Sequence, residues 1–152
     1  MLTVHIECVL DCPAEKVWQE VQQSALLLEV VEPLAHIKPV DSAKFPQAWI
    51  EGETVRCKSY LFGVIPLGTR TIRLERIDQA AHEIQSRERD QLIDRWDHLI
   101  RVAATRDGRT RYSDEIVIEA GVATRLVWLF AHLLYRHRQR KWQHVARRLA
   151  AI

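Results

Sequence analysis

A chain of 152 residues, 47% hydrophobic and 28% charged, can bury one sizeable core, about 68 to 70% of its unfolded surface, and is too apolar to stay disordered. The net charge of +2 hides a split: all 20 acidic residues lie within residues 1–119, whereas residues 120–152 carry seven Lys and Arg and no acid, a basic element on an acidic body. The longest nearly apolar stretches, Ala25 to Val31 and Leu126 to Tyr135, fall short of the roughly 20 residues that span a bilayer, and the odd set Cys8, Cys12 and Cys57 has no C-x-x-C pair, so neither a disulfide framework nor a zinc site is indicated and a reducing cytoplasm is the expected location.

Leu2, Val4, Ile6, Cys8 and Leu10 alternate with Thr3, His5 and Glu7, which predicts a first strand and resembles neither a signal nor a transit peptide. Pro13 suits a first helical position with Cys12 as cap and Glu15 near the positive end of the dipole. Ala14, Val17, Trp18 and Val21 then follow at helical spacing. A second short helix through Leu26, Leu27, Val30 and Val31 stops near Pro33. Strands are predicted at about 36 to 41, 53 to 62, 67 to 78, 82 to 90, 93 to 106 and 109 to 120. The last hairpin turns at Asp107-Gly108, and side-chain parity decides its loop. A three-residue loop, Arg106-Asp107-Gly108 with Gly108 left-handed, groups Trp96, His98, Ile100 and Val102 with Tyr112, Asp114, Ile116 and Ile118, giving one apolar and one polar face. A two-residue turn would scramble them. Residues 122 to 150 contain no Pro or Gly, and Leu126, Phe130, Leu134, Trp142, Val145 and Leu149 recur as one helical stripe. With no repeat or linker, one domain over residues 1–152 is expected.

The order strand, two short helices, six strands, long C-terminal helix (β-α-α-β6-α) resembles the α+β helix-grip fold of the START-like, or SRPBCC, superfamily. The text that carries the resemblance is Cys12-Pro13-Ala14-Glu15-Lys16-Val17-Trp18 after strand one, Phe62 to Gly68, Trp96-Asp97-His98, and the hairpin Thr110 to Gly121. The resemblance implies a curved antiparallel sheet of about seven strands wrapped around the C-terminal helix, with an apolar cavity between them. Members include polyketide cyclases and aromatases, lipid-transfer proteins and plant hormone receptors. It therefore implies a small, largely apolar ligand (a lipid, an aromatic or a polyketide-like molecule) and no cofactor; by fold alone, binding is better supported than any named reaction.

The residues expected at the ligand are Trp96, His98, Tyr112, Asp114, Ile100 and Ile116 on the last hairpin, with Phe130 and Leu134 on the helix. Polar groups on an inner face need partners. His98 lies opposite Ile116 and diagonal to Asp114, within hydrogen-bond reach. Such a pair can be structural, can orient a ligand, or can move protons in a cyclase/aromatase- or dehydratase-type enzyme. The apolar tip Tyr60 to Gly68 offers Phe62, Ile65 and Leu67 as a lid, a dimer contact or ordinary packing. Seven scattered histidines form no metal-ligand spacing, and no nucleophile elbow, P-loop or dinucleotide fingerprint occurs. The basic run Arg136, Arg138, Arg140, Lys141 is spread around its helix. It reads as a solvated helix end, or as a contact for an anionic membrane or an acidic partner, and argues against nucleic acid.

Overall fold

The computed structural model describes residues 1–152. Strand β1 (Leu2–Leu10) leads into helices α1 (Ala14–Val21) and α2 (Ser24–Val31), followed by strands β2 (Ala35–Pro39), β3 (Thr54–Leu61), β4 (Ile65–Asp78), β5 (Glu83–Arg89), β6 (Arg95–Ala104) and β7 (Thr110–Glu119). A short 3₁₀ turn, Gly121–Ala123, opens onto α3 (Thr124–Ala150). The strands form one sheet in the order β1-β7-β6-β5-β4-β3-β2, every pair antiparallel. Helices α1 and α2 carry the chain from one sheet edge to the other. Register shifts at Ser59/Tyr60 and Leu74/Arg76 bend the long strands, as bulges do, and help curve the sheet.

The β6–β7 hairpin has the register that parity predicts: Trp96 pairs with Ile118, His98 with Ile116, Ile100 with Asp114 and Val102 with Tyr112. Thr105 N–H donates to the Arg109 carbonyl at 2.9 Å, which leaves Arg106, Asp107 and Gly108 as the loop. Gly108 takes φ +80, a conformation that costs a glycine nothing.

Two local expectations change. Pro13 is itself the cap of α1, at φ −60 and ψ 141. Its carbonyl accepts from Lys16 and Val17 N–H, so the helix begins one residue later than Pro13. The buried face of α3 is Val127, Ala131, Leu134, Tyr135, Arg138, Gln139, Trp142, Val145 and Ala146, and Leu126 is 72% exposed. The stripe through Leu126, Phe130, Leu134 and Trp142 rests on repeated steps of four. Each such step drifts about 40° at 3.6 residues per turn, so Leu126 and Trp142 end about 160° apart.

The sheet's outer face is a lattice of ion pairs. Arg87 bridges Glu75 at 2.7 Å and Asp97 at 2.8 Å across β4, β5 and β6. Glu83 joins Arg76 at 2.9 Å and Arg101 at 3.3 Å, and Arg101 reaches Glu115 on β7 at 3.8 Å.

Candidate functional site: a cavity under the C-terminal helix

Between the inner face of β3 to β6 and the first half of α3 lies a cavity of about 650 Å³. Of its 30 lining residues, 23 are hydrophobic, so its occupant has to present mostly apolar surface. Ile72 and Leu74 of β4, Ile84 of β5, and Trp96 and Ile100 of β6 form the floor. Leu26 and Val31 of α2 with Val127, Phe130 and Leu134 of α3 close it from above. The mouth is rimmed by Leu67, Leu92, Leu126, Leu129 and Leu133, all exposed.

Part of the wall is polar. Glu88 accepts from Arg70 at 2.8 Å and from the Ser86 hydroxyl at 2.8 Å, and Arg70 also reaches Asp90 at 3.2 Å. The guanidinium of Arg70 lies 4.7 Å from the centre of the Trp96 ring. His98 Nε2 is 2.7 Å from Asp114 Oδ1; because a carboxylate has no proton to give, Nε2 carries the hydrogen and donates. The other ring nitrogen, Nδ1, then accepts from Tyr135 O–H at 3.4 Å, while the Tyr135 oxygen accepts from the Trp96 indole N–H at 3.2 Å. Asp114 accepts further from Gln139 at 3.1 Å and Tyr112 at 3.4 Å.

Burial pushes both interior carboxyls up, but their partners outweigh it. Asp114 is held below the usual carboxylate value by the hydrogen bond from His98, with the Arg138 charge and the Gln139 hydrogen bond adding to it. Glu88 is held below its own by the Arg70 charge and by hydrogen bonds from Ser86 and Arg70. Burial drives the Tyr135 hydroxyl well above its ordinary range. Burial also works against charge on Arg138, yet the negative charges of Asp114 and Glu88 help reverse the balance and raise its pKa. Burial first, then Asp114, pushes the Cys8 thiol up to about 12, and burial pushes Cys57 up to about 11.

The structure divides the residues anticipated from sequence. Trp96, His98, Ile100, Phe130 and Leu134 line the cavity; Tyr112, Asp114 and Ile116 do not. The second half of α3 fills the space over β7. Trp142 packs 5.0 Å from the Tyr112 ring, and Gln139 donates to both Ile6 O and Asp114. Asp114 therefore stands behind the cavity wall and touches it through His98. At the β3–β4 tip, Leu67 lines the mouth, whereas Phe62 and Ile65 are exposed at 57% and 49% and stand outside it. Phe62 and Gly63 both take positive φ, the geometry of a tight hairpin turn. The basic run also splits: Arg136 and Arg140 face solvent, Lys141 is half-buried, and Arg138 is 6% exposed and lines the cavity. Arg138 is thus no part of a surface that could meet a membrane.

Sequence reading missed Arg70, Ser86, Glu88, Tyr135 and Arg138. Parity was the available signal for three of them. Arg70 alternates with Ile72 and Leu74, and Ser86 and Glu88 alternate with Ile84, on strands whose inner face is otherwise apolar.

Solved structures with the same architecture share little sequence with this chain. Protein CV1439 from Chromobacterium violaceum is 14% identical, with 95% of this chain and 96% of that one covered at a TM-score of 0.73. The Zhui aromatase/cyclase from Streptomyces sp. R1128 is 13% identical over 97% and 94%, at 0.71. Ara h 8.0201 is 11% identical over 95% and 97%, at 0.68. At such identities the likeness establishes the helix-grip fold and nothing finer. No curated protein matches the chain by sequence. Residues 8–146 match the family model described as Domain of unknown function (DUF8410).

Proposed function

We propose that this chain, which belongs to the DUF8410 family and has the helix-grip fold of the START-like, or SRPBCC, superfamily, binds a small, largely apolar molecule as a carrier or binding module. The observation that carries this reading is the cavity of about 650 Å³, apolar along most of its wall and opening between exposed leucines of α3 and the β3–β4 tip. Pockets of roughly 300 to 1,000 Å³ enclose most of a drug-sized ligand. Native mass spectrometry after gentle purification tests it, followed by titration with a fluorescent apolar probe. A co-purified molecule, or probe binding abolished by filling the cavity with Leu134→Trp, is the expected result. A protein that takes up neither would overturn the reading.

A second reading, a cyclase/aromatase- or dehydratase-type enzyme, draws on one observation: His98 lines the cavity and is held by Asp114. Both ring nitrogens of His98 are already engaged within the protein, which favours the binding reading. Turnover would require Tyr135 to move off Nδ1 and leave it free to take a proton.

A further inference from the structure

Two arginines line the cavity, and they differ in one respect. Arg70 is committed, with Glu88 and Asp90 both paired to its guanidinium. Arg138 has no such partner. It is 6% exposed, its Nε is buried without a hydrogen bond, and neither a carboxylate nor a carbonyl pairs with its remaining nitrogens. Its one defined neighbour is the face of the Tyr135 ring, 4.8 Å away. The nearby carboxylates are spent elsewhere, Glu88 on Arg70 and Asp114 on His98 and Gln139.

A guanidinium presents up to five donors in a fixed planar fork. Leaving one desolvated and unpaired is among the costlier arrangements a protein interior can hold. Position adds the second half of the argument. Along α3 the cavity-lining residues run from Leu126 at the exposed rim through Leu129, Phe130 and Leu134 to Arg138, the last of them. The rise between Leu126 and Arg138 is about 18 Å at 1.5 Å per residue. The cavity is therefore mostly apolar, with one uncommitted cation as its last lining residue along α3, far from the leucine rim.

We infer that the ligand is an amphiphile with a single carboxylate head, bound head-first, its two oxygens taken up by the Arg138 fork and its apolar body lying along α3 toward the leucine rim. This rests on the cavity reading above and narrows it to a substrate class. Bidentate carboxylate recognition is the geometry that arginine serves and a lysine or amide does not reproduce.

The test compares dodecanoate with dodecanol as competitors of a fluorescent apolar probe, on the full chain and on Arg138→Met, a variant of similar length that removes the charge from an apolar setting. In the wild type the acid should bind at least tenfold tighter than the alcohol. In Arg138→Met that preference should vanish, with the alcohol bound as well as before or better. Arg138→Lys should keep only part of the preference. Equal affinity of the wild type for acid and alcohol overturns the head-group assignment while leaving the cavity reading intact, and so does a preference that survives in Arg138→Met. If neither competitor displaces the probe from the wild type, both readings fail. Since the wild-type comparison needs no variant, poor folding of Arg138→Met leaves the inference decidable.

Discussion

His98 and Asp114 make the tightest contact of the inner polar group, 2.7 Å between Nε2 and Oδ1, yet they do not face each other in the sheet. His98 pairs with Ile116 and Asp114 with Ile100, so the bond runs diagonally across the β6–β7 ladder and joins a cavity-lining ring to a carboxylate that the cavity does not reach. Its role can be isolated by substitution. In the carrier reading, His98→Gln keeps ligand affinity within about tenfold, or 1.4 kcal/mol, while stability falls by about 1 to 3 kcal/mol because Asp114 loses a donor. If the wild type instead converts its ligand, the same variant should lose about 10² to 10⁴ in rate. Titration and turnover assays on one preparation separate the two outcomes.

The helix register predicts unequal costs along α3. Trp142 is fully buried, and Trp142→Ala should destabilise by about 3 to 5 kcal/mol. Phe130 is only partly buried at the cavity wall, so Phe130→Ala should cost clearly less and register mainly as weaker probe binding. Denaturant unfolding of both variants checks this; equal losses would mean that α3 is rotated from the register described.

Acid should loosen the buried polar group. Asp114 and Glu88 are both held below their ordinary values of 3.8 and 4.5, so in that pH range the unfolded chain binds more protons than the folded one and stability rises with pH. The contribution is complete above those ordinary values and is lost as pH falls through the lowered ones. The groups facing Asp114 are His98, Tyr112, Gln139 and Arg138. Unfolding midpoints from about pH 7 to about pH 3 should fall, and Asp114→Asn should be less stable at the upper end and show a shallower decline. An unchanged slope in Asp114→Asn would place the acid sensitivity elsewhere.

At the mouth, Leu67→Asp should weaken probe binding, since Leu67 lines the opening. Ile65→Asp, on an exposed side chain outside it, should leave both affinity and the unfolding midpoint within error, as surface changes usually do. Matched loss in both variants would make the whole β3–β4 tip a lid.

Strands were more legible than helices for a physical reason. A period of two makes facing unambiguous once one hairpin loop is placed, so Trp96, His98 and Ile100 could be assigned to the inner face from Gly108 and parity alone. On a helix, a spacing of four drifts with each repeat, and the error accumulates from Leu134 back to Leu126. Parity also stops at the sheet. It puts Tyr112, Asp114 and Ile116 on the inner face but cannot say that Trp142 and Gln139 cover them. Arg138 was hidden by its neighbours: within Arg136 to Lys141 every residue is polar or charged, and only its spacing of four from both Leu134 and Trp142 marks the arginine that turns inward.

The lattice of alternating charges on the sheet's outer face sets how this protein meets heat. The penalty for dehydrating ions shrinks as temperature rises, whereas the gain from apolar burial levels off. A lone exposed pair is worth under about 1 kcal/mol at room temperature, but Glu75, Arg87 and Asp97 lock three strands through one guanidinium, and Arg76, Glu83, Arg101 and Glu115 tie four. That cross-bracing gains relative weight near the melting point, where the sheet would otherwise splay. Brine screens it, so concentrated salt should subtract more from survival on warming than from stability in the cold.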